Sequence, residues 1–275
     1  MRHLVFAVLC SFSLGACAQS APPQDGSGQK ISVGSNSPAA TKPIAEPSFA
    51  AGSPQERVRN VLKGLNPAIR VDSIEASPVR GFHQVVAGGQ VVYVSDDGKY
   101  LFQGELMDVA ARKNLSDVAL SKVRGEVLKT LPLADRIVFS PTGTPKHKVV
   151  VLTDIECGYC RKFHEDIAKY NAQGIRVEYM AFPRAGLGSE DYRKMVSVWC
   201  ADDRRKALTD AKAGRSVPSR TCARTPVDMQ YRAGQRMGLE GTPMILAQDG
   251  TMLGGYLPPE ALLQRLESLD EQAAG

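Results

Sequence analysis

The sequence is short of the features that announce nucleic-acid, metal or haem chemistry. Its four histidines, His3, His83, His147 and His164, do not cluster, so no histidine-built metal centre is written into the chain. The net charge is +5, with no lysine- or arginine-rich run longer than a few residues. A charge this weak and dispersed excludes nucleic acid as a partner argued from electrostatics. Beyond the first twenty residues there is no apolar stretch of membrane length, which excludes a later spanning helix. Cysteine is scarce: Cys10, Cys17, Cys157, Cys160, Cys200 and Cys222 are all there are.

What is present begins with an export signal. MRHLVFAVLCSFSLGACAQS runs from a basic start through an apolar stretch to small residues, the pattern of a signal peptide over residues 1–18. Two processing readings stay open. Ala16-Cys17-Ala18 fits small-x-small cleavage, which releases a soluble chain beginning near Gln19. Leu14-Gly15-Ala16-Cys17 also resembles a bacterial lipobox, in which Cys17 becomes a lipidated first residue. Loss of Arg2 with the signal lowers the net charge by one. Either way the chain is exported to a compartment where disulfides persist.

Residues 19–52 are rich in Ser, Pro, Ala, Gly and Gln, too poor in large apolar groups to order themselves. They are expected to form a flexible leader reaching on the order of 30–35 Å. Order is expected from Pro54, where Ser53-Pro54 starts a helix carrying Val58, Val61, Leu62 and Leu65 at helical spacing. Strand-like runs follow at Ile69–Ser77, Phe82–Val86 and Val91–Val94, and Asp97-Gly98 turns into Tyr100–Gln103. This is a small α+β module over 53–112. Residues 113–132 hold an amphipathic helix with Leu115, Ala119, Val123, Val127 and Leu131 on one stripe and Lys and Arg elsewhere, expected to be a stalk or linker between modules. Residues 133–275 alternate strand and helix: Ile137–Phe139, Lys148–Thr153, a helix to about Tyr170, Ile175–Ala181, a mostly helical 190–238, Met244–Ala247, Met252-Leu253, and a last helix at Glu260–Leu269. That is an α/β layered domain with a helical insertion.

The chemistry concentrates in Asp154-Ile155-Glu156-Cys157-Gly158-Tyr159-Cys160. The apolar run Val149-Val150-Val151-Leu152 leads into it, and Arg161-Lys162-Phe163-His164-Glu165 leads out. The unit reads as strand, tight turn and helix. Two thiols three residues apart share one side of a helical turn and can close a small disulfide ring. Cys157, at the positive end of the helix dipole, is expected to be the exposed attacking thiolate. Cys160, one turn in, is expected to be the buried resolving thiol. Gly158 permits the turn and Tyr159 shapes the ring. His164 is read as a surface residue or a tuner of the thiolate, and Asp154 and Glu156 as turn caps or proton carriers. A zinc site lacks a second ligand pair, and haem attachment requires His at position 161, where Arg stands. No metal and no cofactor are expected.

Four cysteines outside the signal allow three pairings. Only 157–160 with 200–222 keeps a local ring. Cys200 and Cys222 then bracket a polar insertion, either as a staple worth about 3 kcal/mol or as a second redox pair. Thr242-Pro243 precedes a strand. Its peptide bond is either cis, with neighbouring backbone turned outward to hold a substrate strand, or an ordinary turn.

Thr153-Asp154-Ile155-Glu156-Cys157-Gly158-Tyr159-Cys160, Ala181-Phe182-Pro183-Arg184, Trp199-Cys200, Cys222 and Gly241-Thr242-Pro243, with Tyr93-Val94-Ser95-Asp96-Asp97-Gly98-Lys99 and Gln103-Gly104 upstream, together resemble the DsbC/DsbG family of bacterial periplasmic thiol:disulfide interchange proteins. The resemblance spans roughly residues 55–270. It implies a thioredoxin-like catalytic domain, a linker helix and a cystatin-like dimerisation domain. It further implies a V-shaped homodimer in the periplasm, whose cleft holds misfolded disulfide-containing proteins and which a DsbD-type membrane reductase keeps reduced. By the same resemblance Cys157 is the nucleophile, Cys160 its partner, Thr242-Pro243 the cis-proline substrate loop and Cys200–Cys222 a structural disulfide. The expected activity is protein disulfide isomerisation with chaperone-like binding. Rival readings are a monomeric reductase or oxidase, a DsbG-like reductase of oxidised single cysteines, against which Gly158 and Thr242 argue, and a holdase chaperone in which the dithiol is incidental.

Overall fold

The computed structural model describes residues 45–274. The signal peptide expected at 1–18, with Cys10 and Cys17, and the leader as far as residue 44 lie outside the described residues. Packing starts earlier than Pro54. The Glu46 carboxylate lies 3.0 Å from Lys63 Nζ and accepts the Val71 N–H at 3.4 Å. Phe49 packs on the cluster of Val58, Leu62, Val71 and Val85. One acid and one aromatic suffice because each finds a partner on the first helix and strand, a signal that an averaged low-complexity composition conceals.

The first module comprises α1 (Pro54–Leu65), β1 (Val71–Ala76), β2 (Phe82–Ala87), β3 (Gln90–Ser95), β4 (Leu101–Gln103) and a short hairpin, β5 (Met107–Asp108) with β6 (Lys113–Asn114). Ser53 caps α1 by accepting the Glu56 N–H at 3.1 Å, and Glu56 accepts from Gly52 N–H at 2.7 Å. This differs from a capping box in that Glu56 reaches the N–H one residue before the N-cap, while the Ser53 N–H goes to the Ala50 carbonyl. Strands β1 to β4 form an antiparallel meander in chain order. Its buried face closes over Val58 and Leu62 of α1.

Helix α2 (Leu115–Lys129) follows, then β7 (Ile137–Phe139), β8 (His147–Thr153), α3 (Gly158–Glu165), α4 (Ile167–Ala172), β9 (Ile175–Ala181), α5 (Glu190–Trp199), α6 (Arg204–Lys212), α7 (Val227–Arg236), β10 (Met244–Ala247), β11 (Met252–Gly254) and α8 (Pro259–Ala274). The helix expected to run to Tyr170 is broken at Asp166, whose φ of −93° and ψ of 13° end α3 and start α4. The sheet order is β11-β10-β8-β9-β7, with β8 and β9 parallel. This is a thioredoxin-like α/β domain, with α5 to α7 as its helical insertion.

The run Val149–Leu152 is buried on both faces of this sheet, and its alternation divides the core. Val149 and Val151 face a cluster with Phe163, Tyr170, Trp199, Leu208 and Leu262. Val150 and Leu152 face a second cluster with Val123 and Val127 of α2 and Val86, Val91 and Tyr93 of the first module. A continuous apolar strand is what a sheet covered on both sides requires.

Helix α2 is therefore not a free stalk. Arg124, expected on the solvated side, is buried, donating from Nε to the Met237 carbonyl at 3.0 Å and from Nη1 to Asp117 at 2.9 Å. Gly125 lies so close to the Asp249 carbonyl that a Cβ there stands 2.4 Å from its oxygen. Arg136 Nη2 donates to the Leu128 and Leu131 carbonyls at the end of α2. Arg236 of α7 meets the buried Asp72 of β1 at 2.7 Å. The helix presents apolar or small residues on two sides, and one apolar stripe plus charges was too coarse a description. Among the described residues no helix is long and apolar enough to cross a membrane.

Candidate active site

Strand β8, the central strand, delivers the turn 154–157 to the carboxyl end of the sheet, and α3 starts there. Cys157 is the N-cap of α3, in extended conformation, with Gly158 as the first helical residue. The Cys157 carbonyl accepts the Arg161 N–H at 3.0 Å. Its Sγ lies 3.2 Å from the Thr242 carbonyl oxygen. The Thr242–Pro243 peptide bond is cis, and β10, which follows it, pairs antiparallel with β8 through Met244 opposite Leu152. That pairing is what brings the proline turn to the dithiol.

The attacking sulfur was expected to be exposed. Instead Cys157 is 4% exposed and Cys160 1%. The proline turn covers the first thiol, which opens onto a depression of about 440 Å³ lined by Gly158, Tyr159, Lys162, Arg184 and Thr242. Tyr159 is 64% exposed, and its ring lies 6.0 Å from that of Tyr256.

The two sulfurs are held in unequal environments. Burial pushes the Cys157 thiol up, but the Thr242 side chain, the Cys160 backbone N–H and thiol, and the Arg184 charge outweigh it, and the net shift is downward. For Cys160 burial prevails and the thiol is raised, although the Lys212 charge, the Asp154 backbone and the Thr153 and Thr242 side chains pull the other way. Donors aimed at a sulfur favour the thiolate, and loss of water favours the thiol. The Thr242 hydroxyl, which acts on both sulfurs, is buried and makes no other hydrogen bond among the described residues.

Asp154 and Glu156 are both held in ion pairs. Asp154 is buried; its Oδ1 accepts the Glu156 N–H at 2.7 Å and its Oδ2 accepts from Arg184 backbone N and Nε at 2.9 and 3.0 Å. Glu156 is paired with Arg161 at 2.6 Å and Lys194 at 3.0 Å, which offsets its negative charge beside the nucleophile. His164 is not a surface residue. It is 4% exposed, with Nδ1 3.0 Å from Tyr179 Oη and Nε2 2.9 Å from Thr209 Oγ1. Burial, with the nearby Lys212 charge, pushes it down to about 3. It is a neutral core histidine because α6 packs over this side of α3.

A family model described as the disulfide bond isomerase protein N-terminal domain matches residues 44–117, and a thioredoxin-like domain matches residues 137–270. The thiol:disulfide interchange protein DsbC of Escherichia coli is 38% identical over 209 residues, covering 75% of this chain and 86% of the relative. The chain belongs to the DsbC family of thiol:disulfide interchange proteins. The DsbC of Haemophilus influenzae is 37% identical over 196 residues, covering 70% of this chain and 82% of the relative. A crystal structure of a disulfide interchange protein from Neisseria gonorrhoeae is 29% identical, with a TM-score of 0.44, covering 50% of this chain and 96% of that one.

In this DsbC-family chain Cys200 and Cys222 form a disulfide across 22 residues, with Cα atoms 5.5 Å apart. The bond ties the end of α5 to the loop between α6 and α7, and neither of its cysteines lines the Cys157 depression. Cys157 and Cys160 are free thiols. Two residues that the motifs did not single out also stand at the site. Asp191 of α5 is raised to about 7, by burial first and then by the charge and hydrogen bonding of Asp154. Lys212 of α6 is buried behind Cys160. The available signal for Lys212 was its spacing, four residues after the buried Leu208 on the same helix.

Proposed function

We propose that the protein is an exported disulfide isomerase that rearranges incorrect disulfides in other exported proteins, works as a homodimer, and is returned to its reduced form by a DsbD-type membrane reductase. Residues 1–18 are the export signal in this reading, with Cys17 as either a lost residue or a lipid anchor, and the periplasm is the compartment. The first module, which runs through the β5–β6 hairpin to Asn114 and so two residues past the expected boundary at 112, is the dimerisation domain, and the catalytic domain begins after 132.

The Cys157 thiolate attacks one sulfur of a substrate disulfide. The S–S bond breaks, the other substrate sulfur leaves with the electron pair, and a mixed disulfide forms. When another substrate thiolate attacks the substrate sulfur of the mixed disulfide, a new substrate disulfide forms, Cys157 leaves with the electron pair as thiolate, and no electrons are transferred overall. When the Cys160 thiolate attacks Cys157 Sγ instead, the substrate leaves reduced and a Cys157–Cys160 disulfide remains, which takes two electrons from the reductase. Thr242 and Pro243 offer backbone to an extended substrate segment beside Cys157, and Cys200–Cys222 has no part in the exchange.

The observation that carries isomerisation over simple reduction is the edge of the first module. Among the described residues strand β4 pairs only with β3, and Tyr100, Leu101, Phe102, Met107 and Val109 on and beside it are exposed. An apolar, unpaired edge is a template for pairing with a second copy, and a dimer offers misfolded chains an apolar cleft between two dithiols.

The test is reactivation of scrambled-disulfide ribonuclease, with sedimentation at micromolar concentration. Cys157→Ala is expected to be inactive, and reactivation by it favours a holdase. Leu101→Asp is expected to be monomeric, to keep disulfide reductase activity and to isomerise poorly. A wild-type monomer with full isomerase activity overturns the dimeric reading.

A further inference from the structure

Lys212 is a buried amine with no carboxylate within ion-pair distance among the described residues. Its Nζ donates to Thr153 Oγ1 at 2.7 Å and lies 3.4 Å from the Cys160 carbonyl. The Tyr179 ring centroid is 5.6 Å away. An unpaired ammonium in a protein interior is costly, and a helix that spends stability on one behind a redox dithiol invites a chemical explanation.

The geometry supplies one. Thr153 is the last residue of β8, and its hydroxyl favours the thiolate form of Cys160. A threonine hydroxyl has a single hydrogen. With Lys212 donating to its oxygen, that hydrogen is left for the sulfur. The lysine charge also acts on Cys160 directly. We propose that Lys212 is the positioning residue of the resolving step, stabilising the Cys160 thiolate by its own charge and by fixing the Thr153 hydroxyl toward the sulfur. It rests on the reading above in which Cys157 attacks and Cys160 releases.

In that step the Cys160 thiol first loses its proton to solvent. The thiolate attacks Cys157 Sγ, forming the Cys157–Cys160 bond. The bond from Cys157 to the substrate breaks, and the substrate sulfur leaves with the electron pair and takes a proton. Negative charge appears on Cys160 deep in the fold, beside Lys212 and away from water. The groups that face the amine are Cys157, Cys160, Arg161 and His164 of α3, Asp154 of the preceding turn and Tyr179 of β9. Arg161 opposes its charge and the sulfurs and Asp154 support it. Burial lowers the lysine to about 8, so it is still largely charged at neutral pH.

The experiment titrates Cys160 alone, by thiolate absorbance in a Cys157→Ser background, with Lys212 present or changed to Met or to Gln. Release of a preformed Cys157 mixed disulfide with a small thiol compound is timed in the same Lys212 variants with both cysteines intact. Lys212→Met is expected to raise the Cys160 titration by about one pH unit. A tenfold smaller thiolate fraction, partly offset by higher intrinsic nucleophilicity, slows release about threefold. Lys212→Gln, which keeps a donor for Thr153 and removes the charge, is expected to fall between, and it serves as the probe if the Met variant fails to fold. An unchanged Cys160 titration in a folded variant overturns the proposal. Cys160→Ser separates the two failures: if it releases the mixed disulfide as fast as wild type, the assignment of the resolving thiol is wrong. If it traps the mixed disulfide while Lys212→Met does not slow release, only the role of Lys212 is wrong.

Discussion

Cys157 Sγ lies 3.2 Å from the carbonyl oxygen of Thr242, 85 residues further along the chain. The contact covers the thiol that the turn at the head of α3 presents, and it places the substrate-facing backbone and the reactive sulfur in one depression. The charge that completes this arrangement comes from Arg184, which pairs with Asp154 and lowers the Cys157 thiol.

Arg184→Gln is therefore expected to raise the Cys157 titration and slow its alkylation at pH 7, measured by iodoacetamide trapping across pH. It also leaves the buried Asp154 carboxylate without its cation. Removing one member of a buried pair is costly, but Arg184 is half exposed and water screens the loss, so about 1–2 kcal/mol of destabilisation is expected in urea unfolding. A normal alkylation profile in a folded variant counts against the electrostatic role.

Asp191 sets a pH dependence of stability. Its folded value of about 7 lies above the ordinary 3.8, so the native state holds the proton more tightly. The stability linked to it is fully present below about pH 4 and is lost as pH rises through 7. Asp191→Asn is expected to flatten this decline, by on the order of 2–4 kcal/mol for a shift of this size. Unfolding midpoints at pH 4.5 and pH 7.5 test it; an equal fall in both proteins assigns the decline to other groups.

How much of this was legible in the sequence depends on the range of the interaction. The dithiol at a helix tip follows from residues 149–165 alone, because strand, turn and helix are local. The meander followed from Asp97-Gly98 and the apolar runs around it. The position of Thr242 did not, since it depends on β10 pairing with β8 across a helical insertion. His164 was expected at the surface or as a tuner of the thiolate because its own helix says nothing of α6, which buries it between Tyr179 and Thr209. The same packing hid Lys212, and the two-sided burial of α2 hid Arg124. In each case a polar residue on a short helix changed meaning through a partner distant in sequence.

The tight seat of α2 gives a further test. Alanine at position 125 gains up to about 1 kcal/mol in helix propensity, but its Cβ stands 2.4 Å from the Asp249 carbonyl oxygen. The backbone has to move, and overpacking of this kind costs about 1–3 kcal/mol. Gly125→Ala is expected to lower the thermal midpoint and to increase proteolytic cleavage near residues 130–134. A midpoint above wild type shows that α2 is free to shift on the β10–β11 turn.

Lys212→Met carries the opposite sign for stability and for chemistry. The folded amine titrates near 8 against an ordinary 10.5, so the native state resists the proton. The contribution of Lys212 to stability is greatest above pH 10.5 and falls as pH drops to 8, below which a constant cost remains. That cost is on the order of 3 kcal/mol for a shift of this size. Methionine fills similar volume without a charge, so Lys212→Met is expected to unfold at higher urea at pH 7 and to lose the rise in stability between pH 8 and pH 10. Calorimetry or urea unfolding at pH 7, 8.5 and 10 measures it. A variant less stable than wild type at pH 7 makes Lys212 a structural donor to Thr153 and the Cys160 carbonyl whose hydrogen bonds outweigh its desolvation.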